Sequence, residues 1–191
     1  MKTQKKEILD IATKLFAEKG FENTTTRDIS NAAGISNAAL YYYFESKESL
    51  LYEILSETLT TGLDPIIEIF QSDKKGKEKL TEITRLYTQY YADGIYKMKL
   101  LVHDQKSLSK GHKEEINKKQ RDYLNVMVSI LEELKDQGKM EDLDTTVCAF
   151  AFFGMVHWAY RWYNPKGKIK PDQLSEIFNR IFSEGIYSED R

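Results

Sequence analysis

Tyr41, Tyr42 and Tyr43 follow one another directly, behind Ala38 and Ala39 and ahead of Phe44. A phenol can donate a hydrogen bond to a phosphate oxygen while its ring packs along a sugar, so such residues suit a polyanion as well as a core. Successive positions on a helix stand about 100° apart, so the three rings cannot share one face. Leu40 and Phe44, four apart, make the natural inward pair. Tyr42 is then expected between the inward and outward arcs, with Tyr41 and Tyr43 reaching outward. Just before them, Asn37 can pair with adenine through two hydrogen bonds, and the methyl groups of Ala38 and Ala39 can meet a thymine methyl. The backbone N–H groups at Ser36 and Asn37 would form a positive helix end suited to phosphate, and Lys47 can add a charged contact.

Other reactive side chains are sparse. His157 falls inside an apolar stretch and reads as a hydrogen-bonded core or interface histidine; His103 beside Asp104 reads as a surface pair, and His112 has no ligand spacing. Cys148, the lone cysteine, reads as a small core residue and excludes an internal disulfide framework. There is no nucleophile motif, no glycine-rich phosphate loop and no paired Cys/His constellation, so no catalytic residue, metal ligand or cofactor is expected.

The elements that must carry these residues are helical. Ile8, Ile11, Ala12, Leu15 and Phe16 recur at helical spacing up to Gly20. Thr24, Thr25 and Thr26 offer N-cap hydroxyls for a short helix with Ile29, Ala32 and Ala33 on one face, and Gly34 suits its C-cap. Ser36 caps the next helix, which runs to about Phe44. Ser46 caps another, with Ser49 in place of the glutamate of a capping box, through Leu50, Leu51, Ile54 and Leu55. Leu80, Ile83, Tyr87, Tyr90 and Tyr91 make one later stripe; Leu124, Met127, Val128, Leu131 and Leu134 make another. From Thr145 to Tyr163 apolar residues surround the helix, which is therefore expected to be buried on most sides. Asn164, Pro165 and Gly167 break the chain, and Pro171 opens a last helix with Leu174, Ile177, Phe178, Ile181 and Phe182. The charge run in EEINKKQRD reads as a solvated face.

Composition bounds the rest. The 191 residues, 41% hydrophobic and 30% charged with only 3 prolines, suit a globular helical chain of one domain, or of a small domain joined to a larger one. A formal net charge of −2 is not that of a globally basic nucleic-acid binder, although phosphates respond to a local patch rather than to the average. MKTQKKEIL is no secretory signal, and the uncharged stretch from Thr145 to Tyr160 falls short of the roughly 20 residues of a spanning helix, so a cytoplasmic location without membrane contact is expected.

A short helix, a glycine turn and a second short helix form a helix-turn-helix pattern, which by itself fits equally a compact three-helix unit whose tyrosines cover an apolar surface. The longer run TTTRDISNAAGISNAALYYYFESKESLL is more specific. It resembles the DNA-binding domain of the tetracycline-repressor (TetR) family, matching at Thr25, Arg27, Asp28, Ile29, Ala33, Gly34, Ser36, Leu40, Tyr41, Tyr43, Phe44, Ser46, Lys47, Glu48 and Leu50. The resemblance implies an all-α fold of about nine helices: a three-helix DNA-binding domain over residues 1–47, then a larger ligand-binding and dimerisation domain over residues 48–191. It implies a homodimer on double-stranded operator DNA, with Thr26, Arg27, Ser36, Tyr41, Tyr43 and Lys47 on phosphate and Asn37, Ala38 and Ala39 facing bases. The role of Tyr42, at a variable position of the family, stays open.

Residues 151–178, AFFGMVHWAYRWYNPKGKIKPDQLSEIF, are similar to a TetR subgroup of fatty-acid and sterol catabolism regulators that respond to acyl-CoA, as is the Leu108, Ser109, Ile116, Arg121, Tyr123 pattern upstream. On that footing Trp158, Arg161 and Trp162, at i, i+3 and i+4, are candidates to hold a phosphate or stack on a purine. Tyr90, Leu101, Phe150, Phe153 and Met155 are candidates to line an acyl tunnel, where each buried methylene contributes about 0.8 kcal/mol. Packing between subunits is the competing role for both tryptophans. The resulting expectation is a transcriptional regulator, a repressor released by a small hydrophobic effector such as an acyl-CoA. A TetR-type efflux regulator sensing aromatic or cationic compounds is the alternative, disfavoured by the scarcity of carboxylates from Val147 to Tyr163, and a helical acyl-CoA-handling enzyme is a remote one.

Overall fold

A computed structural model describes residues 2–186, and the regular structure of these residues is helical. Nine α-helices follow one another: α1 (Lys2–Lys19), α2 (Thr26–Ala32), α3 (Asn37–Tyr43), α4 (Lys47–Gln71), α5 (Gly76–Asp93), α6 (Ile95–His103), α7 (Lys110–Asp136), α8 (Thr145–Trp158) and α9 (Pro171–Ile186). Short 3₁₀ turns lie at Gln105–Ser107 and Ala159–Arg161. The all-α expectation holds. No helix among the described residues is long and apolar enough to cross a membrane.

The chain forms two compact units that do not follow chain order: Met1–Leu59 with Tyr96–Asn117, and Thr60–Ile95 with Lys118–Arg191. The first therefore holds more than the three helices of residues 1–47. Its core is Ile8, Ala12, Phe16, Phe21, Ile29, Leu40, Phe44, Leu50, Leu51 and Ile54, with Phe16 and Phe21 edge to face at 5.1 Å. Met98, Leu100, Leu101 and Leu108 are also buried in it. Lys99 donates to the carbonyl of Ala17, Tyr96 to Glu18 at 3.4 Å and Ser107 to Glu22 at 3.1 Å, so α6 and the 3₁₀ turn after it close the C-terminal end of α1.

Local chemistry sets the ends of the short helices. The Thr25 Oγ1 accepts the Asp28 N–H at 3.1 Å while the Asp28 carboxylate accepts the Thr25 N–H at 2.8 Å, a reciprocal box that starts α2. Ser46 and Ser49 form the corresponding box at α4, each N–H donating to the other's hydroxyl at 3.0 and 2.9 Å, as the sequence suggested. On α2 the buried pair is Ile29 and Ser30, whereas Ala32, expected inward, is exposed.

In the second unit α9 packs along α5, and α8 packs against both. Leu80, Ile83 and Tyr87 of α5, Tyr123, Met127, Ile130, Leu131 and Leu134 of α7, and Leu174, Phe178 and Phe182 of α9 are buried. The side chain of Tyr91 lies outside those described. The helix expected through Tyr163 and buried on most sides is different in fact. α8 stops at Trp158 and passes through the 3₁₀ turn, and it buries Cys148, Ala149, Phe152 and Val156 only. Val147, Phe150, Ala151, Gly154 and Trp158, at helical spacing on the opposite side, are exposed. A helix apolar all round needs cover on every side; α5 and α9 cover one side of α8 and leave the other bare.

Candidate nucleic-acid interface and effector cavity

The α2–α3 pair hangs on Gly34. Its φ of 65° is left-handed, and the turn closes with Gly34 N–H on the Asn31 carbonyl at 3.2 Å and Ile35 N–H on the Ser30 carbonyl at 3.0 Å. Ser36 then caps α3, its Oγ accepting the Ala39 N–H at 3.1 Å. Leu40 and Phe44 point into the core as expected.

The tyrosines are placed differently from the expectation. Tyr42 is 73% exposed, the largest value among the large apolar side chains described, and Tyr41 is 49% exposed. Tyr43 is half-buried, and its hydroxyl donates to the Gln4 Oε1 on α1 at 2.9 Å. The helical wheel explains the outcome: Tyr42 lies two residues from both Leu40 and Phe44, about 160–200° around the helix from each. It is the centre of the outward arc, and taking both inward residues together would have found it. The Tyr41 hydroxyl lies 3.4 Å from the Thr26 Oγ1, which brings two of the expected phosphate contacts side by side, with Arg27 exposed next to them.

Two other expected DNA contacts are turned inward. The Lys47 Nζ donates to the Phe21 carbonyl at 2.8 Å and stands over the Phe21 ring at 4.3 Å, so the ammonium closes the α1–α2 turn. The Asn37 Oδ1 is buried without a hydrogen-bond partner, so this side chain does not present both groups needed to pair with adenine. The Asp28 carboxyl is held below the usual carboxylate range by the Thr25 backbone and side-chain hydrogen bonds, then by Lys19 at 3.7 Å.

A clasp that sequence spacing could not show lies behind this face. The Glu48 carboxylate accepts the Ser109 N–H at 2.9 Å and meets His112 Nδ1 at 2.9 Å, while the Tyr52 ring stacks on His112 at 3.9 Å and its hydroxyl donates to Glu115. The start of α4 is thereby fastened to the start of α7 through residues about sixty apart in sequence.

In the second unit a small cavity of about 10 Å³, room for one water molecule, is lined by Ile66, Ile83, Tyr87, Tyr123, Val126, Met127 and Phe153. Packing beside it is tight: a Cβ on Gly62 would run into the Tyr123 hydroxyl. No carboxylate or ammonium lines it. The Tyr87 hydroxyl and His157 Nε2 are hydrogen-bonded, and Phe153 and Tyr87 stack on the His157 ring. Burial pushes the His157 pKa down to about 4, so the ring that shares this hydrogen bond is neutral at neutral pH.

Of the eight residues expected around an effector, only Phe153 lines this cavity. Tyr90 and Met155 are half-buried in the same unit. Leu101 is buried in the other unit, and Phe150 is 60% exposed. Trp158 and Trp162 are 58% and 57% exposed, and the exposed Arg161 guanidinium lies 5.4 Å from the Trp158 ring centre. The eight do not converge: Leu101 belongs to the other unit, and Phe150, Trp158, Arg161 and Trp162 are exposed. Ile66, Ile83, Tyr87 and Tyr123 were missed; their apolar stripes mark burial but not which buried residues border a space. Among the described residues no group of three His, Cys, Asp or Glu could hold a metal ion.

Residues 8–54 match the family described as bacterial regulatory proteins, tetR family, and residues 73–186 match the tetracyclin repressor-like C-terminal domain. The chain is 33% identical to the HTH-type transcriptional repressor KstR2 of Rhodococcus jostii over 191 residues, covering 95% of this chain and 90% of that protein. It is 24% identical to the fatty acid metabolism regulator protein of Bacillus subtilis, covering 96% of this chain and 95% of that one. The solved structure of the ketosteroid transcriptional regulator KstR2 of Mycobacterium tuberculosis superposes with a TM-score of 0.90 at 25% identity, over 97% of this chain and 95% of that one.

Proposed function

This chain belongs to the TetR family of bacterial regulatory proteins, DNA-binding transcriptional regulators and not enzymes, and we propose that it is a homodimeric repressor released from its operator by an acyl-CoA. The observation that carries the DNA-binding part is the outward arc of α3, where Ala38, Tyr41 and Tyr42 stand exposed on a helix fixed from behind by Leu40 and Phe44. Thr26, Arg27, Ser36 and Tyr41 ring that arc as phosphate contacts. Tyr43 and Lys47 hold the helices in register from within. Residues 1–47 supply the contact to DNA, and residues 48–191 the pairing of two copies and the response to effector.

An apolar cavity bordered by the Tyr87 and Tyr123 rings, with no carboxylate among its lining residues, supports a hydrophobic, uncharged effector body and disfavours a cationic drug. The motif in residues 151–178 and the relatives named for fatty-acid and ketosteroid regulation support an acyl thioester. A cavity of one water's volume admits such a ligand only if Tyr87 and Phe153 move aside, so the effector acts by binding a state in which they have done so. DNA must then weaken effector binding by the same factor by which effector weakens DNA binding.

The test is a thermal-shift screen of acyl-CoAs of graded chain length, free CoA and cationic dyes, followed by DNA binding with each hit. Long acyl-CoAs are expected to raise Tm by mass action and to release duplexes from the protein's own promoter region. Release by dyes with acyl-CoAs silent overturns the effector class. Failure to retain any such duplex at low salt overturns the regulator's proposed operator contact.

A further inference from the structure

The outward arc of α3 leaves one side chain without a role. We infer that Tyr42, together with Ala38, is the sequence-reading centre of the recognition helix and that its ring and hydroxyl meet base edges in the major groove. The inference rests on the operator-binding reading above.

A single exposed ring is ordinary on a protein surface; the placing of this one is not. Three phenols stand in a row, and the outer two are tethered to neighbouring helices, Tyr41 beside Thr26 of α2 and Tyr43 on Gln4 of α1. Tyr42 stands edge to face with Tyr43 at 5.3 Å, which braces the ring from one side, and among the described residues its side chain is otherwise open to solvent. It lies opposite Leu40 and Phe44, so it is the part of α3 farthest from the protein's own core.

A helix about 10–12 Å across fills a major groove about 12 Å wide. Its outermost arc then meets the groove floor, where base edges lie, while its flanks meet the phosphate rails. By that geometry Tyr41 falls to a rail and Tyr42 to the floor. Ala38, one turn earlier on the same arc and exposed, completes the contact. A helical side chain leans toward the preceding turn, here Ala38 and Ala39, so no bulky neighbour holds the ring off the bases. The ring can cover a thymine methyl, and the hydroxyl can donate to guanine O6 or N7 or accept from a cytosine or adenine amino group. Asn37, with its Oδ1 buried, is left to a lesser part.

The experiment selects duplexes from a randomised pool with the wild-type protein, then with Tyr42→Ala, Tyr42→Phe and, for comparison, Tyr41→Phe. Tyr42→Ala is expected to lose sequence preference at one or two adjacent positions of each half-site and to bind the wild-type consensus roughly 10-fold more weakly. Its affinity for random duplex and its salt slope should stay near wild type. Tyr41→Phe should weaken consensus and random duplex alike. Unchanged preference at every position in Tyr42→Ala overturns the inference, as does a uniform loss of affinity with a shallower salt slope, which marks a phosphate contact. Those outcomes leave the operator reading intact, whereas a wild-type protein that selects no sequence at all takes both down. Thermal melts of the variants, expected to match wild type at so exposed a site, separate a binding defect from a folding one.

Discussion

His157 is held neutral by its surroundings rather than by a charge. Burial between Tyr87 and Phe153 puts its pKa at about 4, against about 6.5 in an unfolded chain. Between those values the unfolded state carries the extra proton, so stability rises with pH across the window and falls as pH drops from about 6.5 to 4. The full effect is on the order of 3 kcal/mol, about 2 of it lost between pH 7 and pH 5. Urea midpoints at the two pH values should show that loss, and His157→Phe should remove most of the difference while lowering stability at pH 7 through the lost hydrogen bond. A difference that survives in the variant would place the acid sensitivity elsewhere. Glu48 does not confuse the measurement. Burial alone would raise its carboxyl, but hydrogen bonds from Ser109 and His112 hold it below the usual range, so its contribution is lost only at more acid pH. The sequence made a hydrogen-bonded His157 legible, because an imidazole in an apolar helix must find a partner. That the partner is Tyr87, seventy residues away, was not.

The helices from α1 to the start of α4 announce their own ends, which is why that stretch was legible almost element by element, whereas α6 and its place in the same unit were not. Thr25 with Asp28, Ser36, and Ser46 with Ser49 are all local hydrogen-bond boxes, and Gly34 is a local backbone requirement. Gly34→Ala tests the last of these. No heavy atom stands within 4 Å of the added methyl group, so the substitution meets no steric barrier and costs only the left-handed conformation, about 1 kcal/mol. Chemical denaturation should show that loss with α3 intact; a loss above about 3 kcal/mol would mean that the turn depends on packing that the structure does not contain. The second unit was less legible for the converse reason. Apolar spacing says that a helix is buried, but the cavity wall is assembled from α4, α5, α7 and α8 together, and no single stripe marks which members face it. Lys47 and Tyr43 have partners that no local pattern marks: each stands at a position that the family resemblance puts on DNA, and here the first bonds to the Phe21 carbonyl and the second to Gln4.

At the scale of the whole molecule the unfinished feature is the outer face of α8 and α9. Val147, Phe150 and Trp158 on α8 and Ile177 and Ile181 on α9 are 44–65% exposed, and Trp162, edge to face with Phe178 at 6.3 Å, stands between the two helices. Under the homodimer proposed above, such a patch fits the contact between copies, being rich in the indoles and guanidinium that interfaces favour. Pairing the same face of two copies about a two-fold axis would bury α8 on the side that this chain leaves bare, which is what its all-round apolar sequence demands. Phe150→Glu and Ile181→Glu would each place a charge within that proposed contact, where no partner offsets its desolvation. Both variants should sediment as monomers with the helix content of wild type. Both should also lose operator affinity by about 100-fold or more, because a monomer grips one half-site, while binding to random duplex at low salt persists. If Ile181→Glu remains a dimer that holds operator normally, the two copies meet through some other surface, and the bare side of α8 needs a different occupant.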